Sequence, residues 1–225
     1  MEQEYARLAE TIRTQATAHP NHRYLVAIAG TPGSGKTTTA EKVVKLLNAP
    51  GTPCAALLSM DGFHFPRSTL DQLPNREEAY VRRGAPWTFD AAGFLQFLKD
   101  LRAREKRPVS PQLSGVYAPT FDHTAKDPVE NGIYIPDDTP IVVIEGNYLL
   151  LDEPVWREIP PLVDYKVFID TDLGVARDRL AKRHLAAGIE KTLEDGFRRV
   201  DANDYLNGLT ILEKRIEPDA IVPGA

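Results

Sequence analysis

The chain is poor in several things, and each shortage removes a class of explanation. Cys54 is its one cysteine among 225 residues. No internal disulfide can form, and such a pattern suits a reducing compartment, so a cytoplasmic protein is the expectation. No apolar run approaches the roughly 18 residues that a membrane span needs. The first residues, Met1-Glu-Gln-Glu4, are acidic and do not read as a secretory leader. The net charge of −5 supplies no bulk positive field for nucleic acid or an anionic membrane, so neither is expected as a partner. The basic cluster Arg102–Arg107 has no interleaved aromatics, as single-strand binding would want, and reads as a helix end in water. His64 and His123 lack a second histidine or cysteine at ligand spacing, so hydrogen bonding suits them better than metal binding. There is no internal repeat.

What is present is a phosphate-binding loop. Gly30-Thr31-Pro32-Gly33-Ser34-Gly35-Lys36-Thr37 fits G-x-x-x-x-G-K-[ST] at every fixed position, with Thr38 following. Tyr24–Ala29 before it reads as a buried strand, and Thr37–Leu47 after it as a helix. Glycines let the backbone wrap a phosphate so that several N–H groups reach its oxygens. The helix adds its positive N-terminal end. Lys36 would reach the outer phosphates and the Thr37 hydroxyl would hold Mg²⁺, so ATP and Mg²⁺ are the expected cofactors.

The rest of the chain reads as one α/β domain. Tyr5, Leu8, Ala9 and Ile12 recur at helical spacing, which predicts a helix over 2–18. Asn48–Pro53 is a turn, and Cys54–Ser59 a buried strand. A long middle region, 61–139, holds a helix from about Asp90 to Arg104 and short strands near Val109–Leu113 and Gly132–Ile135. Ile141–Ile144 and Tyr165–Ile169 return to buried parallel strands. A basic helix covers about Asp172–Leu185, and Gly188 interrupts it as a hinge. Thr192 with Asp195 resembles a capping box for one helix over 192–213, with a last strand at Ala220–Val222. Strands alternating with helices imply a doubly wound, mainly parallel sheet in three layers, with ligands outside the carboxyl ends of the strands.

That rule selects the phosphate loop, the residues after Ser59 and those after Ile144. Asp61 lies just past one strand end, where a carboxylate can take the proton of an attacking hydroxyl or help hold Mg²⁺. Glu145 lies at another, where many phosphate-loop proteins keep an acid for Mg²⁺. Arg179 and Arg183 lie four apart on one helix face, so both could meet a triphosphate.

These residues resemble the phosphoribulokinase/uridine kinase family, which includes the bacterial-type pantothenate kinases. The matching pieces are Gly30–Thr37, Ser59-Met-Asp61-Gly-Phe63, Tyr117-Ala-Pro-Thr-Phe-Asp122-His123, Val143-Ile-Glu145-Gly146 and Asp178–Arg183, in family order. Asp61-Gly-Phe-His64 with Arg82–Asp90 looks closest to the pantothenate-kinase-like and sugar- or nucleoside-kinase-like branches; His64 stands where the uridine kinases proper carry tyrosine. The resemblance implies a phosphate-loop kinase fold with an acceptor-binding insertion (61–139) and a lid (177–191) within a single domain, 1–225. It implies that Lys36 stabilises the transferring phosphoryl group, that Thr37 binds Mg²⁺ with help from Glu145 directly or through water, and that Asp61 is the general base. Arg179 and Arg183 would close on ATP. Asp61, Phe63, His64, Arg82, Arg83, Tyr117, Phe121, Asp122 and His123 would meet the acceptor. A small-molecule alcohol is the implied substrate and a homodimer the implied assembly.

Two other functions use the same loop. A regulatory nucleotide-binding protein needs no acceptor. A nucleoside monophosphate kinase combines loop and lid, but its acceptor is a phosphate, which needs no strand-end base; Asp61 argues for a hydroxyl. No Asn-Lys-x-Asp element is present for guanine, and Glu145-Gly146 stands where a mechanical ATPase would want an acidic pair.

Overall fold

A computed structural model describes residues 1–20, 22–49, 51, 54–104 and 114–224. In chain order the elements are α1 (Glu2–Ala18), β1 (Tyr24–Gly30), α2 (Lys36–Leu47), β2 (Ala55–Ser59), α3 (Arg67–Leu70), α4 (Arg76–Val81) and α5 (Ala91–Ala103). There follow β3 (Gly115–Asp122), β4 (Asp127–Pro136), β5 (Ile141–Gly146), β6 (Tyr165–Asp170), α6 (Leu173–Ala186), α7 (Leu193–Ala202), α8 (Asp204–Lys214) and β7 (Ala220–Pro223). Short 3₁₀ turns sit at Met60–Phe63, Pro86–Thr88, Trp156–Glu158 and Pro160–Leu162.

Five strands form one parallel sheet in the order β2-β5-β1-β6-β7. Covered on both faces, its central strands read as unbroken apolar runs. The alternation of side chains sorts them between two cores. Tyr24, Val26 and Ile28 pack with Leu8 and Ile12 of α1 and with Ala40 and Val43 of α2. Leu25, Ala27 and Ala29 pack with Phe94, Leu98 and Leu101 of α5 and with Ile211 of α8. Each fully buried valine, leucine, isoleucine or phenylalanine among them stabilises the fold by about 1.5–3 kcal/mol. The result is the three-layer, doubly wound α/β fold that the strand pattern predicts.

The predicted helices at the start, after the phosphate loop, over Asp90–Arg104 and over Asp172–Leu185 are all present within a residue or two. The single helix expected over 192–213 is instead two, α7 and α8, broken at Asn203 (φ −139°, ψ −73°). Thr192 does cap the first, its hydroxyl accepting from Asp195 N at 3.1 Å. The break frees the Asn203 side chain, whose Nδ2 donates to Arg83 O at 2.8 Å. The strand expected at Gly132–Ile135 is the end of a longer β4, paired antiparallel with β3. No sequence signal predicted β3, because Pro119 sits inside it and proline normally argues against a paired strand. The ladder accommodates Pro119 at a register shift between Ala118 and Thr120. The strand expected at Val109–Leu113 lies outside the described residues, as do Pro50, Thr52 and Pro53 of the Asn48–Pro53 turn. Arg102, expected in water, is half-buried and donates to Leu162 O, Arg23 O and Asp164.

The β3–β4 hairpin lies over the Met60–Phe63 turn. A Cβ on Gly62 would overlap the carbonyl of Pro119, and one on Gly146 would come within 2.6 Å of Met60 Cβ. The turn after β2 is thus wedged between the hairpin and the end of β5. We expect Gly62→Ala to cost about 1–3 kcal/mol, the range for overpacking a tight contact. Urea unfolding checks this: a lower midpoint at unchanged slope is the expected result.

Candidate active site

The carboxyl ends of β1, β5 and β2 meet on one rim. β5 lies between the other two, with Ile28 and Ser59 both opposite Glu145 in register. The phosphate loop leaves β1 and turns through left-handed Gly33 (φ 77°) and Gly35 (φ 90°), conformations that side chains resist. A Cβ at Gly33 would stand 2.7 Å from Ala176 O, so α6 lies directly against the loop. Gly35 hands over to α2, whose first residues are Lys36, Thr37 and Thr38. Ser34 and Thr31 are buried, yet their hydroxyls have no partner among the described residues. A bound phosphate would supply acceptors for such orphaned donors, so these residues fit the triphosphate.

Glu145 is 3% exposed. Thr37 Oγ1 donates to its Oε2 at 3.0 Å, and Ser59 Oγ donates to its Oε1. Burial raises its pKa above the ordinary carboxylate value; Lys36 beside it opposes the rise, and Asp61 adds to it. Lys36, Asp61 and Glu145 therefore share one electrostatic neighbourhood. Hydroxyl and carboxylate oxygens are the donor set that Mg²⁺ prefers, so Thr37 and Glu145 fit that ion.

Asp61 is in the turn after β2. Its backbone N–H donates to Ser59 Oγ at 3.2 Å, and its carbonyl lies 2.8 Å from His64 Nδ1. A carbonyl can only accept, so Nδ1 carries the proton. The His64 ring stacks between Phe89 and Phe121, with centroids 3.9 and 4.8 Å away. Burial lowers the His64 pKa, so the ring is neutral and Nε2 is an acceptor.

The predicted acceptor residues divide. His64 stands beside Asp61 with the Phe121 ring against its own, and Arg82 Nη2 donates to Asn207 Oδ1 at 2.9 Å. Phe63, Arg83 and Asp122 have structural contacts that the sequence did not reveal, and His123 and Tyr117 are exposed. Phe63 turns into the core against Phe94 and Phe97. Arg83 is occupied by Phe65 O (2.9 Å), Asp127 (3.1 Å) and Lys126 O, and lies over the Phe121 ring. Asp122 caps the hairpin turn, accepting from Thr124 N at 2.7 Å and Ala125 N at 3.1 Å; these bonds, Ala125's first, lower its pKa. His123 is exposed at the same turn. Tyr117 is 57% exposed and stacks on Tyr134, away from the rim.

The basic face of α6 also divides. Arg177 is bound to Asp201 and lies over Phe197, which ties α6 to α7. Lys182 pairs with Asp178. Arg179 and Arg183 are exposed and make no hydrogen bond or ion pair among the described residues.

Two sets of residues escaped the sequence reading. Ser59 reads in the sequence as a strand end and the start of a family motif, with no task for its side chain. By sequence Asn203, Asp204 and Asn207 lie on a late helix, where they could meet the nucleotide after lid closure or, more simply, form an exposed polar face; Asn203 and Asn207 are in fact buried, and burial raises the Asp204 pKa. Asn207 Nδ2 donates to Asn203 Oδ1 at 3.1 Å, completing a relay from Arg82 through both asparagines to Arg83 O. The i, i+4 spacing of the two asparagines was the available signal.

The model of the phosphoribulokinase/uridine kinase family matches residues 25–206. A Schizosaccharomyces pombe protein provisionally named a uridine kinase is 37% identical over 220 residues, covering 97% of this chain and 88% of that protein. The crystal structure of YFH7 from Saccharomyces cerevisiae superposes with a TM-score of 0.85 at 25% identity, covering 97% of this chain and 98% of that one. A Silicibacter protein provisionally named a fructose transport system kinase gives 0.80 at 29% identity, with the same coverage. Among the described residues no helix is long and apolar enough to cross a membrane.

Because the folded state keeps the Glu145 proton to higher pH than the unfolded chain does, this group's stabilising contribution is complete below the ordinary carboxylate pKa. It is lost as pH rises through the raised folded value. We therefore expect Glu145→Gln to gain stability relative to the wild type as pH rises above the ordinary carboxylate range in metal-free buffer. Urea midpoints of the two proteins across that range check the sign; a constant difference is the contrary result.

Proposed function

We propose that this chain, which belongs to the phosphoribulokinase/uridine kinase family, is a small-molecule kinase that transfers the γ-phosphoryl group of MgATP to a hydroxyl of its substrate. The observation that carries the reading is the convergence of three strand ends: Lys36 and Thr37 after β1, Glu145 at the end of β5, and Asp61 just past β2.

Phosphoryl transfer asks for positioning and charge neutralisation more than for covalent chemistry. Lys36 neutralises charge on the outer phosphates, while loop N–H groups with Ser34 and Thr31 hold the inner ones. Thr37 and Glu145 hold Mg²⁺, which when bound neutralises phosphate oxygens. Asp61 accepts the proton of the acceptor hydroxyl and aims its oxygen at phosphorus. His64 offers a second acceptor to a neighbouring substrate hydroxyl, and Phe121 supplies an apolar wall. Arg179 and Arg183, whose side chains pair with nothing among the described residues, close on the phosphates as part of a lid over 177–191. The segment 61–139 acts as the acceptor-binding insertion of a single domain. The acceptor is a hydroxyl-bearing nucleoside, sugar or pantothenate-like molecule, with uridine and fructose first among those to try, given the names of the two relatives.

ADP release from MgATP, measured against pantothenate, uridine, cytidine, fructose, ribose, glycerate and ribulose 5-phosphate, tests the reading. One acceptor should stimulate release. Nucleotide binding with no stimulation would favour a regulatory role, and stimulation by a nucleoside monophosphate would favour the phosphate-acceptor class. Asp61→Asn should lower transfer about 10²–10⁴-fold, the range for a lost general base, and leave ATP binding nearly unchanged. A full-rate Asp61→Asn protein would exclude this mechanism. Arg179→Ala should lower kcat on the order of 10³-fold if it neutralises transition-state charge.

A further inference from the structure

Ser59 is the last residue of β2, in register with Glu145 on β5. A serine hydroxyl has one proton and two lone pairs. The Ser59 proton goes to Glu145 Oε1, and a lone pair accepts the Asp61 backbone N–H at 3.2 Å. Thr37 holds the other oxygen of Glu145, Oε2, at 3.0 Å. Thr37, Glu145, Ser59 and the Asp61 backbone thus form one unbroken line of hydrogen bonds from the phosphate loop to the turn after β2.

We propose that Ser59 is a positioning residue that locks the carboxylate on β5 and the carboxylate after β2 into one geometry. The proposal rests on the roles given to Glu145 and Asp61 above. The two donors to Glu145 differ in kind. Thr37 is itself a candidate ligand of the metal, so its hydroxyl cannot be counted on to restrain Glu145 when the nucleotide is bound. Ser59 lies on the opposite oxygen and has no competing task. It restrains a buried carboxylate whose orientation would otherwise be set by one bond. The same oxygen atom of Ser59 anchors the backbone of Asp61, so the base and the metal-binding acid keep their separation. Neighbouring packing cannot substitute for it. Gly62 and Gly146 press the turn against the hairpin and β5 through contacts that exclude a side chain but carry no direction for a carboxylate. Misplacement of a reacting group by about 1 Å can cost on the order of 10²-fold in rate.

The test uses the whole protein, a fluorescent ATP analogue and a MgCl₂ titration, with Ser59→Ala, Ser59→Cys and Ser59→Thr. Losing a hydrogen bond to a metal-binding carboxylate typically costs about 10–100-fold in metal affinity. We expect Ser59→Ala to raise the Mg²⁺ concentration for half-maximal tightening of nucleotide binding by that factor, with metal-free affinity unchanged. Ser59→Cys, with similar bulk and only a weak donor, should behave alike and serves if the alanine protein does not fold. Ser59→Thr keeps the hydroxyl and should return the Mg²⁺ dependence to near the wild-type value. With a responsive acceptor, kcat should fall in Ser59→Ala while KM for ATP holds. A wild-type Mg²⁺ dependence in Ser59→Ala or Ser59→Cys, or a defect that threonine does not repair, overturns the proposal and leaves the kinase reading standing. A wild-type protein that binds no nucleotide overturns both.

Discussion

A buried carboxylate at the meeting point of three strands is the constraint on which the rest depends. Glu145 cannot be removed from water unless its oxygens are held, and the donors that hold them are Thr37 and Ser59. Those two residues belong to different parts of the chain, the phosphate loop after β1 and the end of β2. The parallel order β2-β5-β1 is what brings both alongside β5. An isolated strand end could not do this. The sheet delivers the three ends to one plane, and the hydrogen bonds then fix their side chains.

The same economy appears in how basic residues are divided. Arg23, Arg83, Arg102 and Arg177 hold backbone carbonyls or carboxylates and keep loops and helices in place. Arg179 and Arg183, on the same helix as Arg177, hold nothing among the described residues. An arginine fixed in a structural pair resists reorganisation, whereas an exposed one is free to meet an incoming phosphate. Arg177 bolts α6 to α7 as a unit, and the left-handed Gly188 (φ 66°) lies between the two helices.

On the acceptor side, the hairpin and the relay through the asparagines perform the corresponding task. Arg83 and Asp127 tie the hairpin tip to the segment after the Met60–Phe63 turn, and Arg82, Asn207 and Asn203 tie that segment to α8. Tyr148, next to the end of β5, donates to Gly84 O and closes the ring. The insertion is therefore connected by buried polar contacts both to the sheet and to the helices that follow α6. Among the described residues Arg82 Nε has no partner, and an unpaired buried polar group of this kind is costly.

The sequence alone determined the five strands of the parallel sheet, the helices that start the chain, follow the phosphate loop and cover 91–103 and 173–186, the phosphate loop itself, and the place of the acids Asp61 and Glu145 at strand ends. Apolar runs, helical periodicity and glycine spacing are local signals, and each is produced by residues close together in the chain. What remained was decided by tertiary structure, because most of it depends on partners that only folding brings together, 86 residues apart for Ser59 and Glu145 and 120 for Asn203 and Arg83. Ser59 became a bridge only once β2 lay beside β5. Asn203 broke a helix that local capping would have continued, since Arg83 O was there to receive its amide. Pro119 sat inside a strand because β4 allowed a register shift opposite it. Phe63, Arg83 and Asp122 looked like acceptor contacts by position along the chain, yet a core, a hairpin tip and a turn claimed them. Composition identifies which residues can do chemistry; only the fold decides which of them are left free to do it.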